Sequence, residues 1–275
     1  MIITKFFLAV CLVFFNSGIF AHGNVHQQIN ELTTHIGQQP TNSQLFLKRA
    51  QLYADDQDWL SAKKDFNAVR QLDSTGTRVD LLEAKMWFVA NKLELSYPLV
   101  DRYLQHNPDA LGALALRAKI NLMIGNADAS VADYARVIEL SDKVLPDMYL
   151  QWAKAQAKVV PMNRQQVHRI IQLGLDKFGS LVVLLQYVID FDRQQKEYQS
   201  ALMGLEKLPQ QLRQQPFWLV QKAKLLESIN KQIDAKAQYQ MAHDRLQKKK
   251  QSGRFNKVDQ KLLKTINQSL HLEKK

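Results

Sequence analysis

The stretch RAQLYADDQDWLSAKKDFNAVRQLD, residues 49–73, decides the fold of this chain. Its apolar residues recur at helical spacing on both sides of an acidic turn, so it predicts a hairpin of two short amphipathic helices. In the second helix, Ala62, Phe66 and Val69 share one face because four and three residues separate them. Neither helix can bury its apolar stripe alone, so the hairpin needs neighbours of the same kind.

The pattern of this hairpin recurs along the chain with a period of 34 residues. Its first small position is occupied by Ala50, Ala84 and Ala118. The later positions hold Ala62, Ser96 and Ser130, then Phe66, Val100 and Tyr134, then Val69, Tyr103 and Val137. The last third keeps the spacing in the pairs Ile189 and Ala223, Ala201 and Ala235, Leu205 and Tyr239, and Leu208 and Ala242. Small residues allow close approach of the helices in a hairpin, and large residues fill the space between hairpins, so the period predicts a stack of hairpins.

A period of 34 residues with these residue types resembles the tetratricopeptide repeat (TPR) family. Pro108 and Pro146 lie near repeat ends, where that family often has proline, whereas the family's Gly beside the first small residue is absent. The resemblance covers residues 43–249 and implies six repeats, of which the fourth is irregular. We therefore expect an all-α, right-handed α-solenoid of about six helix hairpins.

Both ends of the repeat region are predicted to carry capping helices. Residues 22–42 contain an apolar pattern of helical spacing, and residues 250–275 predict a basic amphipathic helix. Terminal helices with a polar outer face are what a stack of repeats needs to stay soluble.

Residues 1–21 have the layout of a cleaved secretory signal peptide. Lys5 precedes an apolar run from Phe6 to Phe15, and Ala21 offers a small residue at the cleavage position. We therefore predict a periplasmic or secreted protein, with an uncleaved N-terminal anchor as the alternative. Cleavage would also remove the only cysteine, Cys11, so the mature chain could form no disulfide.

No catalytic motif is found in the sequence, which lacks a Gly-rich phosphate loop, Gly-x-Ser-x-Gly and His-Glu-x-x-His. We therefore predict a protein that is not an enzyme and needs no cofactor, with its acidic residues scattered over helix surfaces. His22 would become the mature N-terminus and lies four residues before His26, so a metal site at this terminus is a less favoured alternative.

In the TPR family, the first helices of successive hairpins line a concave groove that binds extended peptides or partner helices. The residue after the small position generally faces this groove, and here it is Gln51, Lys85, Lys119, Lys154, Asp190 and Lys224. The lysines imply a positive row that would attract acidic groups of a protein or peptide partner. With neighbouring cations and one aromatic residue, the predicted groove comprises Arg78, Lys85, Lys119, Lys154, Lys158, Tyr187 and Lys224. The alternative is that these lysines are solvated helix formers without a ligand.

A second basic run, residues 245–264, carries eight Lys or Arg and one Asp. It offers another function, an electrostatic anchor to anionic lipid headgroups or envelope polyanions. Nucleic acid is disfavoured as a partner because the chain is predicted to be exported. The leading prediction is a non-enzymatic interaction or scaffold module of the cell envelope.

Overall fold

The computed structural model describes residues 17–73 and 77–271 of the chain. The described residues form fifteen helices and no strand, so the predicted all-α class is confirmed. Most of the predicted signal peptide, including Cys11, lies outside the described residues. None of the helices within the described ranges is long and apolar enough to cross a membrane.

The chain divides into two compact units, residues 1–120 and 121–275. The helices of the first unit are α1 (Ser17–Gln38), α2 (Ser43–Asp55), α3 (Trp59–Leu72), α4 (Arg78–Val89), α5 (Leu93–His106) and most of α6 (Leu111–Met123). Within this unit α2 pairs with α3 and α4 pairs with α5, while α1 packs against α2. These pairs are the helical hairpins that the repeat spacing predicts.

The second unit contains the end of α6 and nine further helices. They are α7 (Ala127–Leu140), α8 (Pro146–Gln156), α9 (Arg164–Phe178), α10 (Val182–Gln194), α11 (Tyr198–Glu206), α12 (Gln210–Arg213), α13 (Pro216–Ser228), α14 (Gln232–Gln251) and α15 (Lys257–Ser269). The pairs α8 with α9, α10 with α11 and α13 with α14 form hairpins, and α15 packs against α13 and α14.

The repeated positions form the core of these hairpins. The small residues Ala50, Ala62, Ala84 and Ala118 are 0% exposed, and the large residues Phe66 and Tyr134 are 1% and 0% exposed. Ser96 holds a small position and donates its hydroxyl to the carbonyl oxygen of Ala84 at 2.7 Å, which satisfies the buried hydroxyl. The packing roles assigned to these positions are confirmed.

A repeated turn follows five of the described helices. Its middle residue has a left-handed backbone with φ between 55° and 85° in Gln57, Asn91, Gly125, Lys196 and Asn230. The next residue donates its N–H to the carbonyl five residues earlier at 2.8 to 2.9 Å, the bond of a Schellman motif. The same turn thus follows five of the described helices, although only one of the five turns has glycine at the left-handed position. Residues 157–163, between α8 and α9, form a longer connection.

Several carboxylates are buried, so the prediction that acidic residues lie on helix surfaces is wrong in part. Asp65, Asp80, Glu83 and Asp192 are between 1% and 6% exposed. Each has a partner; Asp80, for example, accepts hydrogen bonds from Arg70 at 2.8 Å and from Arg102 at 2.7 Å. The charge of a carboxylate can be buried where such donors replace its water.

Candidate partner-binding site

A cavity of about 760 Å³ lies in the first unit and is lined by residues of α1, α2, α3 and α4. We call it the N-terminal pocket. Its apolar lining consists of Leu32, Leu52, Trp59, Phe66, Leu82, Met86 and Val89, and its polar lining includes Glu31, His35, Lys48, Gln51, Asp55 and Lys85. Cavities of roughly 300–1,000 Å³ with mainly apolar walls and a few polar groups are typical of ligand sites.

Two contacts set helix α1 antiparallel to α2 and so create one wall of the pocket. Arg49 Nη1 donates to Thr33 Oγ1 at 2.9 Å, and His26 Nδ1 lies 3.7 Å from Asp56 Oδ2. Residues late in α1 therefore lie beside the early part of α2, and residues early in α1 lie beside its end. Ile29 is buried at 7% exposure, whereas Leu32 is half-buried and lines the pocket.

Charges of opposite sign lie at opposite ends of the N-terminal pocket. The antiparallel arrangement places His35 level with Lys48, and the ammonium group of Lys48 makes this end positive. Asp55 is the last residue of α2 and marks the other end, where the helix terminus adds negative potential. Between the two ends, α4 contributes Lys85, which the 34-residue period places level with Gln51, and α1 contributes the carboxylate of Glu31. The rim can therefore orient a ligand that carries charges at both ends.

The predicted groove residues of the first unit do not all reach this pocket. Lys85 lines it with an exposed side chain. Arg78, the first residue of α4, and Lys119, on α6, are exposed outside it.

A second cavity, of about 400 Å³, lies in the second unit and brings together Lys154, Lys158 and Tyr187. The Tyr187 ring stacks on Phe191 with 6.3 Å between ring centroids, and its hydroxyl donates to the Ala153 carbonyl at 3.4 Å. Burial raises the pKa of Tyr187 to about 12. The aromatic ring thus lines this Tyr187 pocket, where the two lysines supply positive charge and Asp190 supplies one carboxylate.

The last predicted groove residue, Lys224, lines a cavity of about 270 Å³ in the same unit. Its neighbours there include Trp218, which is 6% exposed, and the exposed ion pair of Arg193 with Asp190 at 2.9 Å. The positive charge of Lys224 is accordingly accompanied by both a cation and a carboxylate.

Sequence reasoning did not identify the residues that α1 contributes to the N-terminal pocket. Glu31, Leu32 and His35 belong to the predicted capping helix, for which only a covering role was expected. Leu32 belongs to the apolar pattern of that helix, but a periodic pattern does not reveal whether an apolar residue meets a neighbour or an open cavity.

Within the described part of the chain, no group of three or more His, Cys, Asp or Glu side chains could hold a metal ion. His26 lies near Asp56, as described above. The side chain of His22 lies outside the described residues, so the metal alternative at the N-terminus stays a prediction.

No protein-family model and no curated protein sequence matches this chain. Solved structures are similar to it in fold. The C-terminal part of a TPR repeat-containing protein from Cytophaga hutchinsonii aligns with a TM-score of 0.66 and 12% identity, over 82% of this chain and 92% of its own. A tetratricopeptide repeat protein from Parabacteroides merdae aligns with a TM-score of 0.55 and 15% identity, over 91% and 95% of the two chains.

A third similar structure is YrrB, described as a TPR protein with an unusual peptide-binding site. It aligns with a TM-score of 0.54 and 10% identity, over 74% of this chain and 95% of its own. These similarities agree with the helical hairpins, the buried small residues and the period described above. The chain has the fold of the tetratricopeptide-repeat proteins.

Proposed function

We propose that this chain is a non-enzymatic interaction module that binds a segment of a protein partner in the N-terminal pocket. The observation that carries the proposal is an apolar floor inside a rim of opposite charges. Val89, at one end of the floor, is 73% exposed. Burying such apolar surface favours association, and charged rims determine orientation and partner choice.

The lining of the pocket supports a specific class of ligand. Apolar side chains of the partner would contact Leu32, Leu82 and Met86, and methionine adapts its shape readily to different ligands. An acidic group of the partner would lie beside Lys48 and Lys85, and a basic group would lie beside Asp55. The ligand is thus a short peptide segment with apolar residues between charges of opposite sign.

The peptide-binding site of YrrB supports this proposal by analogy of fold alone. We also propose that the Tyr187 pocket, with Lys154 and Lys158, is a separate and smaller contact area for acidic groups. The assignment of the remaining groove residues, Arg78, Lys119 and Lys224, stays a prediction. The envelope as the place of action rests on the export signal predicted in residues 1–21.

Photo-crosslinking in the native envelope tests this function. A photoreactive amino acid replaces Val89 at the pocket or, as a matched control, Leu60 on α3, which is 71% exposed and outside the pocket. The probe at position 89 should capture a defined protein that the probe at position 60 does not capture. Identical products from both positions would contradict binding at this pocket.

A further inference from the structure

The C-terminal part of the described chain, from Arg245 near the end of α14 through α15, presents positive charge without exposed carboxylates. Residues 245–271 contain eight Lys or Arg and one acidic residue, Asp259. Asp259 is 7% exposed and accepts a hydrogen bond from Lys249 Nζ at 2.8 Å. Lys249 and Asp259 neutralise each other, and Asp259 is the only carboxylate in residues 245–271. The exposed charges that remain in this segment are therefore positive.

Three lysines form a stripe on the outer face of α15. Lys257, Lys261 and Lys264 are exposed and separated by four and three residues. At 3.6 residues per turn they lie within about 60° of one another around the helix axis. The buried residues Ile266 and Leu270 lie on the opposite face, toward the helices that α15 covers. The stripe therefore points away from the rest of the second unit.

A capping role alone does not explain a face with charges of one sign. A terminal helix must be polar outside, but solvated surfaces ordinarily mix both signs. Lys248 and Lys250 in the last turn of α14 and Arg254 in the turn before α15 are also exposed, so six exposed cations lie on and next to this face.

One exposed apolar residue lies within this group of cations. Val258 is 71% exposed and directly follows Lys257 in the first turn of α15. A capping box between Asn256 and Asp259 fixes that turn, and hence the position of Val258. At a membrane interface, an apolar side chain can enter the headgroup region while lysines keep their ammonium groups at the phosphates.

We propose that the outer face of α15, together with the preceding turn and the last turn of α14, docks on a bilayer surface rich in anionic phospholipid. Six exposed cations fall within the roughly four to eight that electrostatic recognition of anionic lipid uses. The outward face of a single helix fits a planar surface. A soluble single-stranded polyanion is instead recognised by a basic groove with stacking aromatics, which this face lacks. This surface is independent of the N-terminal pocket and adds a second activity to the protein.

Co-sedimentation of the full chain with vesicles tests this docking. Vesicles of phosphatidylglycerol and phosphatidylethanolamine should bind the chain, and phosphatidylcholine vesicles should not. The variant Lys257→Glu/Lys261→Glu/Lys264→Glu should bind the anionic vesicles at least about 100-fold more weakly, given the contribution of each basic residue near an anionic surface. Its far-UV circular dichroism and melting temperature should stay unchanged because all three side chains are exposed.

A control variant of equal charge completes the test. Lys64→Glu/Lys143→Glu/Lys236→Glu changes three exposed lysines elsewhere. At about 0.1 M salt, charges beyond about 10 Å are largely screened, so this variant should keep its binding within about threefold. Equal loss in both variants, equal binding to phosphatidylcholine, or binding to soluble polyphosphate without binding to vesicles would overturn the proposal.

Discussion

Arg49 and Asp65 form a bidentate ion pair that joins α2 to α3. Arg49 Nε donates to Asp65 Oδ2 at 2.7 Å, and Arg49 Nη2 donates to Asp65 Oδ1 at 2.8 Å. The hydrogen bond to Asp65 raises the pKa of Arg49, and the side chains are 15% and 6% exposed. Because Arg49 also donates to Thr33 of α1 at 2.9 Å, one guanidinium holds together three helices that line the N-terminal pocket.

The substitution Arg49→Met should lower the free energy of unfolding by about 3 kcal/mol, because it leaves the buried carboxylate of Asp65 without a cation. Urea unfolding followed by circular dichroism measures this change. Arg193→Met is the matched control, since the pair of Arg193 with Asp190 is exposed at 47% and 41% and should contribute less than about 1 kcal/mol. Equal losses in the two variants would contradict a structural role for the buried pair.

Gly174 on α9 is a position where a methyl group does not fit. A Cβ atom there would lie 2.8 Å from Leu184 Cδ1 and 3.1 Å from Tyr149 Cβ. We expect Gly174→Ala to destabilise the chain by about 1–3 kcal/mol, the cost of overpacking a core.

The matched control for this substitution is Gly112→Ala on α6, where a Cβ atom meets nothing within 4 Å. That change should raise the free energy of unfolding by up to about 1 kcal/mol, because alanine favours helix over glycine. Thermal unfolding measures the melting temperature of both variants. A change in the same direction in Gly174→Ala and Gly112→Ala would contradict the close approach of α9 to its neighbours.

Lys196 occupies the left-handed position of the turn between α10 and α11, with φ of 63°. A left-handed backbone costs an L-residue other than glycine about 1–2 kcal/mol, so Lys196→Gly should stabilise the chain by up to about 1 kcal/mol. Lys207→Gly serves as the control, because Lys207 has φ of −76° and gains nothing from glycine. Chemical denaturation should show a higher free energy of unfolding for Lys196→Gly and a lower one for Lys207→Gly. Destabilisation by Lys196→Gly would contradict the left-handed conformation of the repeated turn.

Asp259 should make stability depend on pH in the acidic range. Burial raises the pKa of Asp259, but hydrogen bonds from Lys249 and Asn256 outweigh burial and lower the pKa below its ordinary value of 3.8. A folded-state pKa below the unfolded one means that the ionised carboxylate stabilises the fold fully above about pH 4. This contribution is lost as the pH falls through the lowered pKa.

Asp259→Asn should therefore be less stable than the wild type at pH 6, and the difference should shrink at pH 3. Urea midpoints at the two pH values measure this, with Asp244→Asn as the control because Asp244 is exposed on α14. A difference between wild type and Asp259→Asn that is the same at both pH values would contradict a stabilising ionised carboxylate.

The hairpins could be predicted from the sequence because packing restricts residue type at close approach. Only small residues fit where Ala50 and Ala62 lie at 0% exposure, so those residues recur with the period of the structure. The repeated turn shows no corresponding recurrence of residue type in the sequence. Its left-handed position holds Gln57 in one copy and Lys196 in another, since the Schellman hydrogen bonds are made by the backbone and tolerate several side chains.

The N-terminal pocket lay beyond sequence reasoning for a different physical reason. Helix α1 stands outside the 34-residue period, so its alignment with α2 depends on the contacts of Arg49 with Thr33 and of His26 with Asp56. Such side-chain pairs have no periodic pattern. Lys85 was identified because it follows a repeated alanine, whereas Glu31 and Leu32 became visible only once α1 was in place.

The most direct test of partner binding in the N-terminal pocket is the affinity of the full chain for the peptide segment that the crosslink at position 89 identifies. Isothermal titration would compare the wild type with Lys85→Glu/Val89→Glu and with the control Leu60→Glu/Lys64→Glu. Both variants change one exposed apolar residue and one exposed lysine, four residues apart on a helix. The pocket variant should bind at least about tenfold more weakly, from lost apolar burial and like-charge repulsion, and the control should match the wild type. Unchanged affinity in the pocket variant, or equal weakening in both, would contradict partner binding in the N-terminal pocket.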